Sequence, residues 1–212
     1  MNTCTRVCLI RHGETDWNRE KRVQGQINID LNARGEMQAQ ALALALRDYR
    51  FAAAYSSDLA RAWRTARIAV AELDIAVSPA PTLRERHFGI LQGLTAAEAS
   101  VANPSAHRRH MERNPDYDYE TGESLNSFAD RVLAGLGVLA TRHAGASVLA
   151  FTHGGVLDVM YRAATGRRID APRDFSLGNA ALNWLEYRLG KWHVIAWADS
   201  RHLQAALDEL PG

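Results

Sequence analysis

Cysteine is scarce in this chain: Cys4 and Cys8 are the only two in 212 residues. Their spacing fits neither a C-x-x-C redox pair nor a zinc ribbon, so buried, reduced thiols are expected. Long apolar runs are missing as well. No stretch offers the ~18 uninterrupted apolar residues of a membrane span, and the start MNTCTRV lacks signal-peptide architecture, so no membrane partner is expected and the location read is cytoplasmic. Nor is charge of one sign in excess. Lys plus Arg number 25 against 24 Asp plus Glu, a formal net charge of +1, which offers no field to attract nucleic acid. Any bound anion must therefore be held by locally placed cations. No group has convincing metal-ligand spacing either: His107 and His110 form an H-x-x-H pair without a third ligand, and no metal is expected. Repeats and low-complexity segments are absent.

What is present is a chain with 47% hydrophobic residues, long enough for one sizeable core. The reading is one domain over residues 1–212, carrying a cap-like insertion at about 95–122. Val7 to Ile10 reads as a short buried strand, and Leu31 to Tyr49 as a helix behind the capping residue Asn32. Ala52 to Tyr55 is a second strand, followed by an amphipathic helix in LARAWRTARIAVAEL capped by Ser57 or Asp58. A short strand and a proline-marked loop lead to Thr95, a cap for AAEAS. Val101 to Gly122 is polar, contains two prolines and suggests only one short helix, laid over the working edge of the sheet. Ser124 to His143 resumes a helix, Ser147 to Phe151 a strand, and GGVLDVMYRAATG a helix closed by Gly166. ALNWLEYRLGKWHVIAWAD reads as a hairpin turning around Leu189-Gly190-Lys191, whose edge strand can pair two copies into a homodimer. Alternating strands and helices predict an α/β three-layer sandwich, with a mainly parallel central sheet flanked by helices.

Four strand ends carry the chemistry. RVCLIRHGETDWN places Arg11 and His12 beyond the first strand; SSDLARAWRTA places Arg61 in the helix after the second. LRERHFG places Glu85 after the third, and FTHGG places His153 after the fourth. In a parallel sheet these ends share one face, where open α/β sheets bind their ligands. Two guanidinium forks suit a phosphoryl group in charge and geometry. A neutral imidazole nitrogen can take up the phosphoryl group, and a carboxylic acid can protonate the leaving oxygen and then activate water. Gly13, Gly154 and Gly155 fit positions where the backbone approaches the phosphate.

The stretches LIRHGETDWN, SSDLARAWRTA, LRERHFG and THGG, in that order from about Val7 to Gly155, resemble the motif set of the histidine phosphatase superfamily, with its phosphoglycerate mutase-like fold. That resemblance implies His12 as the phosphorylated nucleophile and Glu85 as proton donor. It implies Arg11, Arg61 and His153 as the phosphate pocket, and Asn18 as a further phosphate contact. Gln24 and Gly25 match a loop that lies near the phosphate in the family.

The superfamily runs hydrolysis and mutase chemistry on one pocket. Arg108 and Arg109 could mimic the basic grip of a mutase, which would bring in 2,3-bisphosphoglycerate as cofactor. Against this, Glu85 to Gly122 is short, Asp116, Asp118, Glu120 and Glu123 form a negative run, and ETGES is similar to a stretch of the phosphatase branch. A phosphatase that acts on a small-molecule phosphomonoester and needs no cofactor is preferred. A mutase is the alternative, and a phosphate-binding regulatory domain without turnover is the second.

Overall fold

Residues 4–208 are described by the structure, a computed structural model. Its first strand shows how the sequence builds three layers. In β1 (Thr5–Arg11), Val7 and Leu9 enter one core while Cys8 and Ile10 enter another, as the two-residue period of a strand requires. Both faces are covered, so the strand reads as a continuous apolar run rather than an alternating one.

Six strands form one sheet, in the order β3 (Val77–Pro79), β2 (Ala53–Ser56), β4 (Ser147–Thr152), β1, β5 (Leu182–Arg188) and β6 (Lys191–Asp199). Among β1 to β4 all pairing is parallel, whereas β5 runs antiparallel to both β1 and β6. The three-layer arrangement around a mainly parallel sheet that the sequence predicts is therefore the one found. On one face lie α2 (Ala33–Leu46) and α3 (Ala60–Ala69), with Leu42, Leu46 and Ala66 packed on Cys8, Ile10 and Phe151. On the other lie α6 (Leu125–Arg142) and α7 (Gly154–Thr165), with Phe128, Val132, Leu157 and Met160 packed on Val7, Leu9 and Ala150.

Local signals account for most boundaries. Asn32 accepts from the Gly35 N–H, Ser124 accepts from the Ser127 N–H, and Gly166 closes α7 at φ 69°. The hairpin turns on Leu189 and Gly190, both at positive φ, before β6 begins at Lys191.

One expected cap needs correction, and two helices join those expected. Neither Ser57 nor Asp58 caps α3, whose first residue is preceded by Leu59 without a side-chain cap. Ser57 instead accepts from the Leu59 N–H and meets His153, while Asp58 is ion-paired with Arg84. Trp17 lies in a one-turn helix, α1 (Asp16–Arg19), closed by a capping box between Thr15 and Asn18. The insertion contains the two short helices expected, α4 (Ala96–Ala102) capped by Thr95 and α5 (Pro104–Met111), separated at Asn103-Pro104. Its own small core joins Leu91, Ala99, Ala106 and Tyr119. A terminal helix, α8 (Arg201–Asp208), was also not anticipated; its Leu203 packs onto the α2–α3 side.

No helix among the described residues is long and apolar enough to cross a membrane.

Candidate active site

Register brings the two histidines together. Arg11 of β1 lies opposite Thr152 of β4, so the residues that follow the two strands, His12 and His153, leave the sheet side by side with ring centroids 5.2 Å apart. The turn after β1 is held by main-chain groups: the His12 N–H donates to the Thr152 carbonyl at 2.9 Å, and the Ala180 N–H donates to the Arg11 carbonyl at 2.9 Å. Two side chains complete it. Asn179 Nδ2 donates to the His12 carbonyl at 2.8 Å, and the Gly13 N–H donates to Thr65 Oγ1 at 2.9 Å.

These contacts fix the tautomer of His12. Its Nδ1 lies 2.7 Å from the Gly13 carbonyl, which can only accept, so Nδ1 carries the proton. Nε2 then keeps its lone pair and accepts from Arg61 Nε at 3.3 Å. Burial first, and then the charges of Arg61 and Arg11, hold the His12 pKa well below the usual imidazole value. His153 is lowered in the same direction, again mainly by burial and next by Arg61. Its Nε2 meets Ser57 Oγ at 2.8 Å, while its buried Nδ1 has no partner.

The arginines are clamped. Arg61 is fully buried and donates to the carbonyls of Ile27 at 3.0 Å and Gly25 at 2.7 Å, with its pKa pushed down to about 10 by burial. Arg11 donates to the Leu177 carbonyl at 2.6 Å, and its buried Nε has no partner. Asn18 spends its carbonyl oxygen on Thr15, leaving the amide nitrogen for a ligand. Glu85 is positioned by two backbone donors: the Arg86 N–H meets Oε1 at 2.8 Å and the Gly155 N–H meets Oε2 at 3.0 Å.

Two glycines serve a different purpose from the one expected. A Cβ at Gly13 would collide with the Gly35 carbonyl of α2, and one at Gly155 with the Glu85 carboxylate. Gly13 permits helix packing and Gly155 permits the carboxylate to lie against α7.

A cavity of about 710 Å³ unites these groups. Arg11, His12, Asn18, Gln24, Gly25, Arg61, Glu85 and Gly154 all line it, while His153 is fully buried behind His12 and is not part of the lining. Arg108 and Arg109 do not line it either; Arg109 instead stacks on Tyr117 at 4.9 Å. The negative run is likewise spent elsewhere. Glu123 bridges Arg131 and accepts from the His87 N–H, and Asp116 accepts from Asn126. His110 lines the pocket and contacts the Tyr119 hydroxyl at 2.8 Å. Among the described residues, no group of three or more His, Cys, Asp or Glu side chains could hold a metal ion.

The cavity also contains residues that sequence reasoning passed over: Arg22, Arg86, Arg113, Arg173 and Asp158. Arg86 carried a signal, its adjacency to Glu85 in LRERHFG. Arg113, Arg173 and Asp158 lie outside every motif, and only the fold brings them to the pocket. Six arginines thus face two carboxylates across this lining, in a chain of net charge +1. A neutral imidazole, clamped guanidinium groups and an oriented carboxyl group together suit phosphoryl transfer, which asks mainly for positioning and charge stabilisation.

Comparison with known proteins gives a consistent picture. The profile of the histidine phosphatase superfamily (branch 1) matches residues 7–200. The chain is 40% identical over 204 residues to the metal-independent phosphoserine phosphatase of Arabidopsis thaliana, covering 95% of this chain and 84% of that protein. It is 36% identical over 202 residues to phosphoglycerate mutase-like protein 4 of the same plant, covering 93% and 86%. The solved structure of Bacillus stearothermophilus YhfR superposes with a TM-score of 0.85 at 30% identity, over 94% of this chain and 99% of that one.

Proposed function

Because the chain belongs to the histidine phosphatase superfamily, branch 1, we propose that it is a metal-independent phosphomonoester hydrolase working through a phosphohistidine at His12. The observation that carries this reading is the tautomer of His12, whose Gly13 contact leaves Nε2 unprotonated in the pocket. In the first half-reaction Nε2 attacks phosphorus, the P–O bond to the alcohol breaks, and Glu85 delivers its proton to the departing oxygen. In the second, the ionised Glu85 takes a proton from water, which attacks phosphorus and frees the imidazole. Arg11, Arg61 and the Asn18 amide neutralise and orient the phosphoryl oxygens, and the unpartnered Nδ1 of His153 supports it as a further donor. The two unpaired cysteines suit a reducing, cytoplasmic setting.

A second reading is kept open by one observation, the surplus of arginines in the lining, which suits a multiply charged substrate such as a phosphoglycerate. Mutase chemistry needs the phosphoenzyme to outlast the wait for an acceptor.

Rapid quench with a ³²P-labelled phosphomonoester tests both. An acid-labile, base-stable label on His12 is expected, with turnover reduced at least ~10⁴-fold in His12→Ala, as for a nucleophile that acts within a unit. Label on another residue, or a nearly active His12→Ala, defeats the assignment. With 3-phosphoglycerate and a trace of 2,3-bisphosphoglycerate, isomer formation outrunning phosphate release would replace hydrolysis by mutase chemistry.

A further inference from the structure

Four of the six pocket arginines have no part in the chemistry just described. Arg22 is already ion-paired with Glu98 at 2.6 Å and Glu20 at 3.2 Å, so the other five arginines, set against Glu85 and Asp158, leave an excess of three formal positive charges, of which a phosphoryl dianion offsets only two. Concentrating uncompensated cations in a cavity is unfavourable unless a ligand brings the balancing charge.

The surplus is directed, not diffuse. Arg113 follows α5 with its backbone in the left-handed region at φ 52°, a costly conformation for a residue other than glycine, asparagine or aspartate. Its Nη2 donates to Asp158 Oδ2 at 2.6 Å and to the Ile169 carbonyl at 2.9 Å, while its buried Nε has no partner. Asp158 does not neutralise it alone, because the same carboxylate oxygen accepts from the fully buried Arg162 at 3.1 Å. Arg86, also buried, donates to the carbonyls of Glu123 and Tyr117 and leaves Nη1 uncommitted. Arg173 lines the same cavity from the loop before β5 and has no hydrogen bond or ion pair among the described residues. The basic grip that sequence placed on Arg108 and Arg109 is thus replaced by residues from three separate segments.

We infer that Arg113 and Arg173, with Arg86 behind them, form a second anion site, and that the preferred substrate is a phosphomonoester bearing a second anionic group. This rests on the hydrolase reading only for the identity of the first anion. Asp158 is a positioning residue that holds the Arg113 guanidinium in place.

Affinity measured by calorimetry in the His12→Ala background tests this without requiring turnover. The probes are 3-phosphoglycerate against glycerol 3-phosphate, which differ by a carboxylate, and propanediol bisphosphate against its monophosphate. The anionic member of at least one pair is expected to bind ~10-fold tighter or more, the scale of one or two charge-assisted hydrogen bonds. Which pair shows it distinguishes a carboxylate from a second phosphate. Adding Arg113→Met or Arg173→Met should bring that ratio towards one, and Arg113→Lys should restore part of it. Asp158→Asn should lower the ratio less than Arg113→Met. Since Arg173 is exposed and makes no hydrogen bond or ion pair among the described residues, its variant tests the site even if Arg113→Met folds poorly. Ratios near one in both pairs, or ratios untouched by both arginine variants, overturn the inference. A chain that shows the ratio yet never forms phosphohistidine would defeat the hydrolase reading and leave the second site standing.

Discussion

The floor and the outer wall of the pocket are built by different rules. On the floor, Arg11, His12 and His153 leave adjacent parallel strands, Arg61 enters from a neighbouring helix, and backbone carbonyls orient the side chains of Arg11, His12 and Arg61 while Ser57 meets His153. On the wall, Phe88, His110, Arg113 and Arg173 come from loops and one short helix, where Arg86 stacks on Tyr119 at 4.7 Å and Arg113 adopts a left-handed backbone. The floor cannot be altered without disturbing sheet register, whereas the wall can exchange side chains while the floor stays intact. That division suits a scaffold that keeps one chemistry and varies its substrate.

The largest effect expected from the proposed division is at Glu85, which belongs to the floor because Gly155 and Arg86 hold it through main-chain donors. Glu85→Gln should lower kcat/KM at least ~10²-fold on an alkyl phosphate, and far less on p-nitrophenyl phosphate, whose leaving group needs little protonation. Parallel steady-state assays on the two esters decide it. Equal losses on both would move Glu85 out of acid catalysis and into simple binding.

Next in size is the strap between the two regions. Arg131 of α6 binds both oxygens of Glu123, at 2.7 and 2.9 Å, and also donates to the carbonyls of Thr82 at 2.8 Å, Arg84 at 3.1 Å and Glu85 at 3.3 Å. It therefore ties the end of the insertion to the segment that presents Glu85. Arg131→Met should reduce kcat by ~10-fold through misplacement of Glu85, with KM changing little, and Arg131→Lys should recover only part because it lacks the planar fork. A loss confined to KM would make the strap part of substrate binding and blur the boundary between floor and wall.

The same boundary separates what was legible in the sequence from what was not. Arg11, Asn18, Arg61 and Glu85 lie within a few residues of strand ends, so apolar runs and motif spacing locate them, and all line one cavity. The arginines of the wall depend on side-chain reach and on the path of long connections. Nothing in HMERNPDY tells that Arg113 turns towards Asp158 on α7 while Arg109 turns to Tyr117. The direction of the histidine shifts was also foreseeable from the neighbouring arginines, but burial is the larger cause, and burial is a property of the assembled layers. The two short helices of the insertion were legible from the Thr95 cap and one short helical stretch, but the small core they pack was not, because it joins Leu91, Ala99, Ala106 and Tyr119 from separate segments.

The smallest effect concerns acid stability, and it compares a wall histidine with the floor pair. His12, His153 and His110 all have their pKa lowered chiefly by burial, His110 to about 4. In the unfolded chain each protonates near 6.5, so below that pH the unfolded state binds more protons and the folded state loses ground. For His110 the loss proceeds from about pH 6.5 and levels off near 4, where the folded form takes up its proton too. Each such histidine contributes a slope of about 1.4 kcal/mol per pH unit within its window. Urea unfolding at intervals between pH 7 and 5 should therefore show stability falling on acidification in the wild type. His110→Gln should remove one histidine's share of that slope and leave the share of His12 and His153. If His110→Gln removes the whole slope, His12 and His153 take up protons in the folded protein as readily as in the unfolded chain, and burial does not hold the His12 imidazole neutral.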